Sequence, residues 1–173
     1  TATLENEAAI ESSSGALSFN GNVSLDNSSI LLTGGSALFN SAAQISGGEL
    51  KLYDSTLTLD AAVGMTNNSK LSLKNTNFAG SSKVTLTGGT LDLGGTIGSL
   101  SSVQTDANTS LELNSDTTIT RTDAMEADEL KLNAYSLTLG SVTTDLTLNS
   151  PLLLNNAGSE LITQGADLVL KDS

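Results

Sequence analysis

Two carboxylates twenty residues apart are the first pair in this sequence whose spacing could support catalysis. Asp92 lies in Leu91-Asp92-Leu93 and Glu112 in Leu111-Glu112-Leu113, so each is the middle residue of an apolar-polar-apolar triplet. If the triplets stack, the two carboxyl groups come near the separation of about 5 Å that retaining glycosidases use. Lys131 holds the same place in the next triplet, which favours a weak ion pair on a solvated face over a catalytic pair.

Serines beside lysines are the second combination that could do chemistry. Ser72 lies near Lys74 and Ser82 is followed by Lys83, and a serine nucleophile needs a base to activate it. The chain has no histidine, so only a lysine could serve, and its one arginine is Arg121. Enzymes built on repeated strands that cut polysaccharides usually gather several carboxylates with Arg or Lys in a groove. The sequence therefore predicts no enzyme and no catalytic residues.

Charge and composition also exclude several partners and cofactors. The chain has 19 acidic and 7 basic residues, a net charge of -12, and such a surface repels nucleic acid phosphates and anionic lipid heads. It has no cysteine, and no twelve-residue calcium loop with the required acidic positions is present. We therefore expect no metal, no cofactor and no nucleic acid partner. Ligand-binding residues cannot be assigned from these patterns.

The triplets belong to a repeat of about 20 residues that runs through the chain. A first series of apolar residues consists of Ile10, Ile30, Leu50, Leu71, Leu91, Leu111, Leu130 and Leu152. A second series follows about seven residues later and consists of Leu17, Ala37, Leu57, Phe78, Ile97, Ile119, Leu137 and Leu161. A third consists of Leu25, Ile45, Met65, Leu86, Val103, Met125, Leu146 and Leu168.

Three short alternating patterns per period indicate three strands per coil, with Gly and Asn in the corners between them. The sequence predicts an all-β fold: a parallel β-helix, or β-solenoid, with three faces and about eight coils, forming a single domain over residues 1–173. An antiparallel sandwich or barrel is the competing fold. The segment 123–130 has a helix-like composition, but we expect an acidic turn there.

One stretch resembles a known family. "GGTLDLGGTIGSLSS", residues 88–102, is similar to the repeat phrasing of passenger domains of Gram-negative autotransporters, and haemagglutinin-type exoproteins share this composition. Phe19-Asn20-Gly21-Asn22 matches the Phe-x-x-Asn motif of chlamydial polymorphic outer-membrane proteins. The resemblance implies a right-handed helix at the Gram-negative cell surface. It also implies a fragment of a longer exported protein whose membrane-embedded barrel lies outside this segment.

We therefore expect a non-enzymatic, extracellular stalk or adhesin segment that mediates attachment through a host-cell protein or glycan receptor. A structural subunit that stacks end to end with other copies into a fibre or surface layer is the alternative. A third possibility is a trimeric polysaccharide depolymerase such as a phage tailspike.

Overall fold

The computed structural model describes residues 2–5, 7–120, 125–140, 146–148, 152, 157–164 and 168–170. This part of the chain contains strands and no helix, and therefore no helix long and apolar enough to cross a membrane. In chain order the strands are β1 (Ala2–Leu4), β2 (Ala9–Ser12), β3 (Ala16–Phe19), β4 (Val23–Asp26), β5 (Ser29–Phe39), β6 (Ala43–Ser46), β7 (Glu49–Leu59), β8 (Val63–Thr66), β9 (Lys70–Lys74), β10 (Asn77–Gly80), β11 (Val84–Leu86), β12 (Gly89–Ile97), β13 (Val103–Thr105), β14 (Thr109–Ile119), β15 (Met125–Ala127), β16 (Glu129–Lys131), β17 (Ser136–Leu139), β18 (Leu146–Leu148), β19 (Glu160–Thr163) and β20 (Leu168–Leu170).

The strands pair in parallel with partners roughly 20 residues away and form a β-solenoid of about seven turns. Each turn has three segments, which we call first, second and third in chain order. The first and second segments share one 11-stranded sheet, and the third segments form sheets of six and three strands. In β5 and β7 the first and second segments are one strand, bent at Gly35 (φ 83°) and Asp54 (φ 50°). The predicted all-β parallel solenoid is confirmed, with about seven turns where eight were expected.

The first series of apolar residues forms an uninterrupted ladder along the inside of the first segments. Its members are direct register partners in the order Ile10, Ile30, Leu50, Leu71, Leu91, Leu111 and Leu130. From Ile30 onward every member is buried, because alternate residues of a strand point to the same side of the sheet. Burying each such side chain contributes about 1.5–3 kcal/mol. The predicted ladder is confirmed as far as Leu130.

The second and third series are confirmed in part, with two errors of register. Ile119 pairs with Leu139, and Leu137 pairs with Thr117, so Leu137 does not follow Ile119 in the second ladder. In the third ladder Val103 pairs with Val84, which leaves Leu86 opposite Thr105. Both errors are shifts of two residues. Residues two apart on a strand face the same side, so alternation alone cannot distinguish them.

The segment 123–130 was predicted as an acidic turn, and this prediction is wrong for its described residues. Met125–Ala127 forms β15, and Glu129 and Leu130 are the first two residues of β16. Asp128 forms a bend between the two strands. Residues 123 and 124 lie outside the described part. Met125 and Ala127 alternate inward and are buried, and their pairing with β18 overrides the helix-like composition.

Buried hydroxyl groups occupy the corners and bond to the turn before. Ser69 Oγ donates a hydrogen bond to the carbonyl oxygen of Ile45 at 3.1 Å, and Thr76 Oγ1 donates to that of Leu52 at 2.7 Å. Thr109 Oγ1 shares its single proton between the carbonyl oxygen of Leu86 at 3.3 Å and Asp106 Oδ1 at 2.8 Å. Ser55 Oγ is also buried but has no hydrogen-bond partner among the described residues. Except at Ser55, these bonds satisfy groups whose burial would otherwise be costly.

Candidate functional site

The outward side of the first segments carries most of the basic charge that the structure describes. We call this surface the charged face and define it by Glu11, Glu49, Lys51, Lys70, Lys74, Asp92, Glu112, Glu129 and Lys131. Its four lysines are more than half of the chain's 7 basic residues. The face is therefore close to neutral on a protein whose net charge is -12.

The middle residues of the triplets predict an outward column that ends at Leu153, and this column lies at the centre of the charged face. Leu31, Lys51, Ser72, Asp92, Glu112 and Lys131 are successive register partners, and Glu11 precedes Leu31. The sequence placed Leu153 at the end of the column, but that residue lies outside the described part of the chain. Asp92 and Glu112 thus stand on adjacent turns, as the spacing predicted.

Asp92 is held by a lysine and an amide. Lys70 Nζ lies 2.8 Å from Asp92 Oδ2, and Asn114 Nδ2 donates a hydrogen bond to Asp92 Oδ1 at 2.8 Å. Only 10% of the Asp92 side chain is exposed, against 41% for Lys70. Burial alone lowers the pKa of Lys70, but the hydrogen bond and charge of Asp92 outweigh it and leave this pKa above its ordinary value. A carboxylate in this setting is a partner for a cation and not a free nucleophile.

Glu112 belongs to a second, separate cluster. Lys131 Nζ lies 3.3 Å from Glu112 Oε1 and 2.5 Å from Glu129 Oε1, and Ser110 Oγ donates to Glu129 Oε1 at 2.8 Å. The hydrogen bond from Lys131, with that from Ser110, lowers the pKa of Glu129. The hydrogen bond to Glu129 raises the pKa of Lys131. Asp92 and Glu112 are therefore adjacent in register but bound to different lysines.

The serines that could have been nucleophiles are bonded to other groups. Ser72 is buried, and its Oγ donates a hydrogen bond to Glu49 Oε1 at 2.7 Å. Ser82 Oγ donates to the carbonyl oxygen of Asp60 at 3.2 Å. Both hydroxyl protons therefore bond to oxygen atoms and not to a lysine nitrogen, which is the base that a serine nucleophile would need here.

Asp106 organises a corner next to the charged face. Its Oδ1 accepts hydrogen bonds from the backbone N–H of Gly88 at 3.0 Å, the N–H of Asn108 at 3.2 Å and Thr109 Oγ1 at 2.8 Å. Burial by itself raises the pKa of Asp106, but these hydrogen bonds outweigh it and hold the pKa below its ordinary value. Among the described residues, no three acidic side chains converge as metal ligands.

A groove at the corner between the third and first segments was not predicted from the sequence. We call it the corner groove; its volume is about 310 Å³, and it is lined by Glu7, Ala8, Asn27, Ser28, Ser29, Gly47, Gly48, Glu49, Asn68 and Lys70. It adjoins the charged face, with which it shares Glu49 and Lys70. The signal in the sequence is Gly47-Gly48, which stands where the neighbouring turns have Asn27-Ser28 and Asn68-Ser69.

Lys51 contacts the aromatic ring of Tyr53 on its own strand, β7. Lys51 Nζ lies 5.0 Å from the centre of the Tyr53 ring, within the range of a cation–π contact. The charged face therefore combines paired carboxylates, paired lysines and one amphipathic ring, and the corner groove beside it is polar. No protein-family model, curated protein or solved structure matches this chain.

Proposed function

We propose that this chain is a non-enzymatic stalk segment of an autotransporter-type adhesin, exposed outside a Gram-negative cell. In this role it holds binding surfaces away from the cell and presents them to a protein or glycan receptor. The observation that carries the proposal is the continuous ladder from Ile10 to Leu130. At about 4.8 Å per turn, about seven turns extend roughly 34 Å, so every turn adds to the distance that the solenoid spans.

The state of the polar groups supports a role in binding over one in catalysis. The Asp92 and Glu112 carboxylates each bind a lysine, and the Ser72 hydroxyl donates to Glu49. General acid–base catalysis needs a titratable group that is free to exchange a proton with substrate. Paired groups on an open surface instead supply fixed donors and acceptors, which are what recognition of a polar partner requires.

Surface display and cell binding test this proposal together. The chain would be placed between a secretion signal and an autotransporter barrel in a Gram-negative display strain. We expect the displayed chain to be cleaved by protease added outside the cells. We also expect it to increase adhesion to cultured epithelial cells, and this adhesion should be saturable and should fall when excess purified chain is added. The matched control is Leu32→Lys, which places a charge in the buried core beside the ladder and should unfold the chain, so that the binding surface is lost. Equal adhesion by the two displayed chains would refute the proposal.

A second candidate function is a fibre subunit in which copies of the solenoid stack end to end. The parallel pairing of successive turns favours it, because strands of one copy can pair with strands of the next in the same way. The chain has a net charge of -12, so copies repel one another at neutral pH. Association should therefore be weakest at neutral pH.

Light scattering across a concentration series at pH 7 and pH 4 separates the candidates. A monomer at both pH values supports the stalk, and regular fibres at either pH support the structural subunit. A discrete trimer that releases reducing sugars from a polysaccharide would contradict both and favour a depolymerase.

A further inference from the structure

The floor of the corner groove is backbone, because two glycines remove the side chains there. A Cβ at Gly48 would lie 2.0 Å from the carbonyl oxygen of Ser28, so no larger residue fits without moving the adjacent turn. A Cβ at Gly47 would lie 2.4 Å from Asn27 Oδ1. The adjoining turns carry serines at the position of Gly48, namely Ser28 and Ser69. At these two positions Ser28 and the side chain of Asn27 occupy the space that a side chain would need, so the turns approach closely and backbone forms the floor of the groove.

The walls of the groove present hydrogen-bonding groups of both kinds. Asn68 is exposed, adopts a left-handed conformation (φ 58°), and its amide has no hydrogen-bond partner among the described residues. Glu7 is exposed on the amino-terminal side, and its backbone N–H bonds to the carbonyl oxygen of Asn27 at 3.0 Å. Glu49 and Lys70 form the side that faces the charged face. A free amide, two carboxylates and an ammonium group therefore surround a backbone floor.

The groups at the Glu49 side are held in place by bonds outside the groove. Ser72 Oγ donates to one Glu49 oxygen, which leaves the other carboxylate oxygen able to accept. Lys70 is tied to Asp92, which limits the conformations of its long side chain and offsets its charge. Fixed polar groups lose less entropy when a ligand binds than mobile ones do.

We propose that the corner groove binds one residue of a neutral glycan. This inference rests on the proposed adhesin function and names the ligand class. Sugar hydroxyls both donate and accept, so they can bond to carboxylates, to the Asn68 amide and to Lys70 at once. The volume of about 310 Å³ is at the lower end of the range for small-molecule sites, which suits one ring. Glu7 and Glu49 repel sulfated or uronic sugars. None of the described lining residues is aromatic, so the contacts that the groove offers are polar.

Backbone amide NMR of the whole ¹⁵N-labelled chain tests this proposal. The probes are the methyl glycosides of glucose, galactose, mannose and N-acetylglucosamine, at about 10 mM because single sugars bind in the millimolar range. We expect at least one of them to shift the amide signals of Gly48, Asn68 and Lys70. Glucuronic acid at the same concentration should shift them much less.

The decisive variant is Asn68→Gly, which removes the amide and keeps the left-handed conformation. It should weaken the sugar's affinity at least tenfold, whereas Asn133→Gly should leave the affinity unchanged. Asn133 is also exposed and left-handed (φ 52°) and lies outside the groove, and its amide donates a hydrogen bond to the carbonyl oxygen of Leu113 at 3.0 Å, so Asn133→Gly also controls for a loss of stability. Equal affinity in Asn68→Gly and the unaltered chain would overturn the proposal, as would shifts outside the groove only or stronger shifts with glucuronic acid.

Failure of this site can be distinguished from failure of the adhesin function. If the displayed chain increases cell adhesion but no neutral glycoside shifts the groove signals, the groove proposal fails and the adhesin function stands. If the displayed chain does not increase adhesion, the adhesin function fails whatever the NMR result.

Discussion

Substituting alanine for Gly35 should destabilise the solenoid much more than the same change at Gly15. The two glycines occupy equivalent corners of adjacent turns, and both have positive φ, 83° at Gly35 and 98° at Gly15. A Cβ at Gly35 would lie 2.1 Å from the carbonyl oxygen of Gly15 and 2.8 Å from its nitrogen. A Cβ at Gly15 would meet nothing within 4 Å. The comparison therefore separates stacking from backbone conformation.

The magnitudes follow from these contacts. A left-handed alanine costs about 1–2 kcal/mol at either position. Relieving the clash at Gly35 requires the two turns to separate, which breaks the hydrogen bond from Ser36 N–H to Gly15 O, 2.9 Å long. This corner is exposed or half-exposed, so both groups can bond to water and the lost hydrogen bond costs about 0.5–1.5 kcal/mol more. We therefore expect Gly35→Ala to lose about 1.5–3.5 kcal/mol of unfolding free energy and Gly15→Ala about 1–2 kcal/mol.

Urea unfolding monitored by circular dichroism measures both losses, with the free energy of unfolding obtained by linear extrapolation. The effect of alanine on the unfolded chain is the same at both positions and cancels in the comparison. Losses that agree within about 0.5 kcal/mol, the usual scatter for surface changes, would refute the close approach of the two turns at this corner.

Three other pairs of measurements follow from the structure. Leu32→Lys should lose about 4 kcal/mol or more because Leu32 is fully buried, whereas Leu31→Lys, on the outward side, should change stability by about 0.5 kcal/mol or less; thermal melts compare the two. Thr76→Val should lose about 1–2 kcal/mol by removing the bond to Leu52, and Ser55→Ala should be neutral or stabilising because its hydroxyl is unpaired; urea midpoints distinguish these outcomes. The lowered pKa of Asp106 contributes stability that is present above the unfolded value of 3.8 and is lost as the pH falls through the folded pKa. Urea unfolding from pH 7 to pH 3 should therefore show a smaller acid loss in Asp106→Asn, which should already be less stable at pH 7.

The period of the repeat was sufficient to predict the fold because stacking repeats the same burial in every turn. Leu91 and its partners recur at nearly constant intervals, so their pairing could be predicted from the sequence. The register of Leu137 and Val103 did not, because a shift of two residues keeps the same face inward. The number of residues in each corner decides between the alternatives, and corner length has no hydrophobic signature.

The candidate site was less predictable, since it depends on side chains from different columns. The adjacency of Asp92 and Glu112 followed from the period, but Lys70 bonds to Asp92 diagonally, from the adjacent turn and a neighbouring column. The corner groove depends on the close approach of adjacent turns at Gly47 and Gly48. The sequence shows the two glycines, but the atoms of the neighbouring turn that lie against them are known only once the turns are stacked.

The corner after Leu113 shows where this architecture accepts a change in length. Leu93 pairs with Leu113 at an offset of 20 residues, and Gly95 pairs with Thr117 at an offset of 22, so the corner takes up two extra residues and the pairing then resumes. Asn114 and Ser115 bond to the turn before, and Asp116 accepts a hydrogen bond from the turn after. Insertions that keep these three residues should therefore be accommodated at this corner, whereas a single inserted residue within a strand would reverse the side of the sheet that the following side chains of the strand face. The same ladder could carry many different epitopes, each grafted onto a corner without redesign of the core.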